Sequence, residues 1–319
     1  MRALVTGVAG QDGSILSEML LEDGHEVAGL VRREPDVALD GVRLVHGDLL
    51  DAESLRRAVA EAEPDWIFHL GAPSFVPLSW ERPVETFTAI AAATAVLFDA
   101  AASLDRDVRV YASSSSEIFG DAGESPQNEA SPCRPLTPYG VAKLAALQLA
   151  RVWRGRGLHV SAGIAYNHES ERRPERFVTR KVTRGAAAIA LGLADELVLG
   201  DLDAVRDWSA ARDVVAAARL MVEQDEPDDY VLASGVGRTV RELVDVAFAA
   251  AGVDPDEHIR VDEALVRAPQ ATLPVGDPEK ARERLGWRPT ISFEELIGDM
   301  VAHDLRDLQA AREPPSSCP

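Results

Sequence analysis

The sequence predicts an α/β protein: a doubly wound, mostly parallel (Rossmann) sheet followed by a smaller α/β lobe. Three observations carry that prediction. A short apolar run at residues 2–6 leads directly into a glycine turn at Gly7, Gly10 and Gly13, and an amphipathic segment follows from Ser14. Short apolar runs then alternate with helical patterns as far as residue 166, as in chains that wind a parallel sheet. At 319 residues with 46% hydrophobic side chains, the chain is long enough for one large domain or for two lobes. Residues 1–166 are expected to form the nucleotide-binding domain. Residues 167–319 are expected to form mainly a substrate domain, with a helix near 210–224 returning to the first.

Strand, glycine turn and helix in that order are the context in which backbone amides reach a pyrophosphate at a helix N-terminus. A second strand, residues 26–31, ends in Arg32 and Arg33, where Arg accommodates the 2′-phosphate of NADP and an acidic residue would hold the ribose of NAD. Glu34 and Asp36 follow closely and oppose a phosphate. The strand at 42–46 leads to Asp48, placed to accept from an adenine amine. The strand at 66–70 leads to a turn of small residues, Gly71 to Ser74, where backbone can lie close to a cofactor. An Ala-rich helix is expected over 84–104.

The strand ending at Tyr111 spills Ser113 to Ser116 and Glu117 onto its C-terminal edge. Residues 121–138 contain four of the 19 prolines and read as a loop; a helix over 139–155 then carries Tyr139 and Lys143 one turn apart on one face. Lys occurs only at 143, 181 and 280, which makes an incidental Tyr–Lys pair improbable. A hydroxyl cluster, a carboxylate, a phenol and an ammonium at one sheet edge form a set for proton transfer. A strand at 158–166 is expected to close the first domain. The charged run 167–176 precedes helices at 181–192, 210–224, 238–252 and 293–308 and short strands near 197, 230 and 260, expected to complete the smaller lobe apart from the returning helix near 210–224.

Composition narrows the function classes. Lys+Arg of 33 against Asp+Glu of 53 gives a net charge of −20, which opposes general affinity for nucleic acid or anionic membrane. No apolar run is read as approaching the roughly 18–20 residues that span a bilayer, so a soluble, cytoplasmic protein is expected. Cys133 and Cys318 alone support neither a disulfide framework nor a cysteine metal site, the His residues lack metal-ligand spacing, and no metal is expected.

The glycine turn, the Ser115-x-Glu117 cluster and the Tyr139-x3-Lys143 pair resemble the extended short-chain dehydrogenases that modify nucleotide sugars. The stretches 7–13 (GVAGQDG), 31–33 (VRR), 167–170 (NHES), 177–182 (FVTRKV) and 199–208 (LGDLDAVRDW) resemble more specifically the GDP-mannose 4,6-dehydratases, over residues 1 to about 305. That resemblance implies catalysis by Ser115, Glu117, Tyr139 and Lys143. It implies NADP, with NAD as the alternative, held by Gly7, Gly10, Gln11, Asp12, Gly13, Arg32, Arg33, Asp48, Leu49, Leu70, Ala72, Ser74, Tyr139, Lys143, His168 and Arg173. A GDP-sugar would meet Ser74, Glu117, Asn167, Lys181, Arg206 and Arg267. A homodimer is implied, built on the 84–104 helix and the second face of 139–155, with a tetramer as the alternative.

The implied chemistry is loss of water. A ketone formed at C4 acidifies C5, Glu117 takes the C5 proton, and Tyr139 acts as the base at C4, with Lys143 and an oxidised nicotinamide favouring its phenolate. The alternatives are an epimerase or reductase on a related GDP-sugar, or a nucleotide-sugar binder without activity. The chain departs from the family at Ser115, where Thr is usual, at Phe75 for His, at Glu85 for Tyr, and in a shortened loop after Arg33.

Overall fold

A computed structural model describes residues 1–35, 37–265 and 272–312. The chain runs β1 (Arg2–Thr6), α1 (Gln11–Glu22), β2 (Glu26–Val31), β3 (Arg43–His46), α2 (Ala52–Ala62), β4 (Trp66–His69), α3 (Leu78–Glu81), α4 (Pro83–Phe87) and α5 (Ala93–Ala102). It continues β5 (Arg109–Ser115), α6 (Pro138–Arg154), β6 (His159–Ala165), β7 (Asn167–Glu169), α7 (Val178–Ala190), β8 (Leu197–Leu199), β9 (Val205–Ala210) and α8 (Ala211–Glu223). It ends β10 (Asp229–Leu232), β11 (Gly237–Thr239), α9 (Val240–Ala251), β12 (Ile259–Val261), α10 (Glu279–Leu285) and α11 (Phe293–Ala310).

Seven strands form one sheet in the order β10-β6-β5-β4-β1-β2-β3, with every neighbouring pair parallel. Its central strands are apolar on both faces because helices cover both: Leu4, Ile67 and Val110 pack towards α2, α5 and α6, whereas Val5, Phe68 and Tyr111 pack towards α1 and α8. The strand order reverses between β1 and β4, and the crevice for a ligand opens there, at the C-terminal ends of the strands.

The sheet does not close at residue 166. β10 pairs with β6 as the seventh strand, so the strand expected near 230 belongs to the large sheet rather than to the smaller lobe. α8 packs on α1 beside it, and Ala281 of α10 and Trp287 join the same core. The cause is the apolar face of α8 (Val214, Val215, Ala218, Met221 and Val222), which covers a sheet face that α1 alone leaves bare.

The helix expected over 84–104 is interrupted by a π-helical turn at Thr88–Ala92 between α4 and α5. Taken together, residues 83–102 are long and apolar enough to cross a membrane by composition, contrary to the reading of the sequence, but Ile90, Leu97 and Phe98 are buried within the domain. The smaller lobe is built from α7, α9 and α11 around Val182, Leu243, Phe248, Ile297 and Val301, with the sheets β11-β9-β7 and β12-β8 on its flank. Capping boxes start α9 (Thr239 with Glu242) and α11 (Ser292 with Glu295).

Candidate active site

One cleft of about 1230 Å³ runs along the C-terminal edge of the large sheet and under the smaller lobe. Every site residue expected from the sequence lines it except Arg267, which lies outside the described residues.

Its floor is the glycine turn. Gly7 has φ +71°, and a Cβ there would stand 2.8 Å from the Gly71 Cα; a Cβ on Gly13 would stand 2.2 Å from the Gly7 carbonyl oxygen. The β1 and β4 turns and the start of α1 therefore pack backbone on backbone. α1 begins at Gly10 with no side-chain cap, which leaves its first amides for a ligand. His69 lies beneath, bonded to Thr6 and Thr94 at 2.8 and 3.2 Å, and burial pushes its pKa down to about 3, so it packs as a neutral ring. Arg32 and Arg33 follow β2 at the far end of the cleft, with Glu34 beside them, and Asp48 and Leu49 follow β3. Leu70, Ala72 and Ser74 leave β4 on the opposite wall.

The proton-transfer set converges at the middle. β5 delivers Ser115, whose hydroxyl accepts from the Glu117 amide at 3.3 Å and hydrogen-bonds to the Tyr139 phenol. The short helical turn Ser116–Ile118 swings Glu117 onto the cleft wall. α6 brings Tyr139 and Lys143 to the same place, its N-terminus fixed by the Thr137 hydroxyl accepting from the Gly140 amide at 3.0 Å. Gly140 is what lets α6 approach: a Cβ there would meet the Glu117 carbonyl oxygen at 2.5 Å. The Lys143 ammonium donates to the Ser113 carbonyl at 2.7 Å and lies 5.9 Å from the centre of the Tyr139 ring.

The phenolate is expected from Lys143 together with an oxidised nicotinamide, and the protein's own groups do not supply it. Burial pushes Tyr139 up to about 12, and the Ser115 hydrogen bond only partly opposes it; burial also pulls Lys143 down to about 8. Removing both groups from water disfavours both charged forms, and the ammonium is engaged by a carbonyl rather than by the phenol.

β7 and the segment after it form the roof. Asn167 and His168 face the cleft, as do Arg173, Arg176 and Lys181. Arg173 pairs with the buried Glu169 at 3.1 Å and stacks 3.7 Å over Phe177; Phe75 meets Phe177 edge-on at 5.7 Å. Glu85 sits at the mouth and pairs with Arg82 at 3.7 Å. Arg206 enters from β9.

Two further residues that shape the site escaped the sequence reading. Asp207, fully buried beside Arg206, accepts from the Ser234 amide (2.8 Å) and hydroxyl (2.6 Å), the Gly235 amide (3.0 Å) and the Gly276 amide (3.2 Å). Gln127 donates through Nε2 to the Leu273 carbonyl at 2.9 Å and accepts from the Tyr166 hydroxyl at 2.7 Å; its backbone pairs with Val275 and Asp277. Together they fix residues 272–277, of which Thr272, Leu273 and Pro274 line the cleft. The signals were present but mute: Asp207 stands inside the RDW run, and Gln127 in a loop whose partners are distant in sequence.

The family model for GDP-mannose 4,6 dehydratase matches residues 4–300. The chain is 40% identical to the GDP-mannose 4,6-dehydratase of Yersinia enterocolitica over 96% of this chain and 94% of that one. It is 41% identical to GDP-mannose 4,6 dehydratase 1 of Arabidopsis thaliana, over 95% and 89%. The chain belongs to the GDP-mannose 4,6-dehydratase family. Among solved structures, RMD from Pseudomonas aeruginosa complexed with NADPH superposes with a TM-score of 0.81 at 25% identity, covering 96% of this chain and all of that one. The sheet order and the converging Ser115, Glu117, Tyr139 and Lys143 agree with that membership.

Proposed function

We propose that the protein is a GDP-mannose 4,6-dehydratase, eliminating water from GDP-D-mannose to give GDP-4-keto-6-deoxy-D-mannose with NADP bound at the glycine turn. The observation that carries this reading is Glu117: a carboxylate stands beside the Ser115–Tyr139 pair, and an epimerase or ketoreductase working at C4 needs no base at C5.

The turn suits a dinucleotide. Gly7 and Gly13 leave a cradle that a Cβ would fill, uncapped amides face it, and Arg32 and Arg33 stand where a 2′-phosphate would lie. NADP, when bound, supplies the acceptor for the C4 hydride, the donor that returns it to C6, and a positive charge beside the phenol. With its pKa near 12 in the protein's own field, Tyr139 needs that charge together with Lys143 to take the C4-hydroxyl proton. Glu117 then takes the C5 proton and passes a proton to the departing 6-hydroxyl, with the Ser115 hydroxyl orienting the leaving oxygen. Asn167, Lys181, Arg206 and Arg267 are the proposed contacts of the nucleotide sugar, three cations for a diphosphate in an acidic protein.

Incubation with GDP-mannose without added reductant tests the reading. A product lighter by one water supports the dehydratase; an isobaric product would indicate an epimerase, and no turnover a binder. A Glu117→Gln variant should retain oxidation at C4 and lose dehydration, and undiminished water loss in it would remove Glu117 from the role of C5 base.

The second part of the proposal is a homodimer. Trp80, Val84 and Phe87 on α3 and α4, with Val141 and Val152 on α6, expose large apolar side chains on neighbouring helices, the pattern of two helices that pair with their symmetry mates. Light scattering on the eluting protein should give twice the chain mass, and Val84→Glu should reduce it to the monomer; a wild-type monomer would contradict the proposal.

A further inference from the structure

Asp12 poses an electrostatic problem. Its carboxylate stands in the first turn of α1, inside the glycine turn proposed to receive a pyrophosphate, and a bare negative charge there would repel that ligand. The answer lies across the cleft on β7. The His168 Nδ1 is 2.7 Å from the Tyr166 carbonyl oxygen and its Nε2 is 2.9 Å from Asp12 Oδ2. A carbonyl oxygen only accepts, and so does an ionised carboxylate; both ring nitrogens must therefore carry hydrogen.

The pair is locked in place. Gln11 Nε2 donates to Asp12 Oδ1 at 3.0 Å and to the His168 carbonyl at 3.1 Å, while Gln11 Oε1 accepts from the Ser170 hydroxyl at 3.0 Å. Each Asp12 oxygen thus has a donor, and both residues are held by side chains from the opposite wall.

We infer that His168 is a standing imidazolium that cancels the Asp12 charge at the glycine turn, so that the two form a neutral clamp which positions α1 against β7 and admits a nucleoside diphosphate. The inference rests on the proposed NADP site and adds a role that direct cofactor contact does not include. Among the described residues, the charged and titratable groups facing the pair are Arg173, which favours ionised Asp12 and opposes protonated His168, Glu169, which acts in the reverse sense, and Tyr139, Lys143 and Tyr111, of which Lys143 and both phenols lie in the field of Asp12. Burial lowers His168, but the Asp12 carboxylate outweighs it and the ring is raised above its ordinary value; burial likewise raises Asp12, and His168 with Gln11 brings it down to about 2.

The test is a cycle of NADP dissociation constants for wild type, His168→Gln, and the double variant Asp12→Asn/His168→Gln. Glutamine keeps a donor and removes the charge, so His168→Gln should weaken NADP roughly tenfold by leaving the carboxylate facing the phosphates. Removing that carboxylate as well should restore most of the loss. A double variant as weak as the single one would overturn the inference, because His168 would then act through its own contact. Should the single variant fail to fold, ¹⁵N spectra of wild-type histidines decide: both His168 nitrogens should stay in the imidazolium range at about pH 7, and a neutral-tautomer pattern there contradicts the clamp. A wild type that bound neither NADP nor NAD would sink the functional reading together with the clamp, whereas wild-type binding without recovery in the double variant sinks the clamp alone.

Discussion

The two halves of the cleft are built on opposite plans. On the nucleotide side the floor is shaped by backbone, with Gly7 against Gly71 and Gly13 against the Gly7 carbonyl, and the side chains of Gln11, Asp12, His168 and Ser170 tie that floor to the roof. On the substrate side buried polar side chains do the shaping, with Asp207 gathering four donors and Gln127 tying the loop before α6 to residues 272–277. A backbone floor yields little to substitution, and its Gly7–Gly13 turn is local in sequence. A cleft held by side-chain ties assembles residues more than a hundred positions apart, and it can be loosened one tie at a time.

The contrast is sharpened by substitutions of unequal expected severity. Gly13→Ala forces a Cβ onto backbone that cannot retreat, so NADP affinity should fall by more than about a hundredfold, read by fluorescence titration; near-normal affinity would show that the turn is not the cradle. Asp207→Asn places an amide donor against the Gly235 and Gly276 amides, with an expected cost of about 2–3 kcal/mol in urea unfolding. It should also raise the KM for GDP-mannose while leaving the NADP dissociation constant within about twofold; equal losses for both ligands would erase the distinction between the halves. Arg32→Ala should weaken NADP about tenfold and leave NAD unchanged, as expected for a side chain that meets only the 2′-phosphate.

The smallest expected effect concerns acid stability. Asp12 lies at about 2 in the folded protein against an ordinary 3.8, so the unfolded chain takes up its proton first as pH falls. Its contribution is complete above the ordinary value and is lost on acidification towards 2. Between about pH 5 and 3 the wild type, with His168 charged throughout, should lose about 1 kcal/mol more than the Asp12→Asn/His168→Gln variant, which titrates at neither position, in parallel urea titrations; parallel losses would argue against a depressed Asp12.

The same contrast explains what was legible in the sequence. The glycine turn, the Ser-x-Glu cluster and the Tyr–Lys pair each lie within a few residues, so spacing alone carries their geometry, and all of them line one cleft. The placement of β10 was not legible, because its partner β6 lies far away in the chain and only packing selects it, whereas the return of α8 to the first domain was expected. The break at Thr88–Ala92 leaves no mark in an Ala-rich run. Gly140 was visible as a residue but not as a requirement, since the Glu117 carbonyl it accommodates becomes its neighbour only after α6 docks. The upward push of burial on Tyr139 was not legible either, because spacing shows the neighbouring ammonium but not the burial.

In the proposed dehydration water leaves the sugar while the hydrogen from its C4 is carried to C6, and one labelled substrate follows that hydrogen. GDP-mannose carrying deuterium at C4 should give, without added reductant, a product lighter by one water that retains the deuterium at C6. Deuterium lost to the cofactor pool, or returned to C4 in an isobaric sugar, would contradict the account.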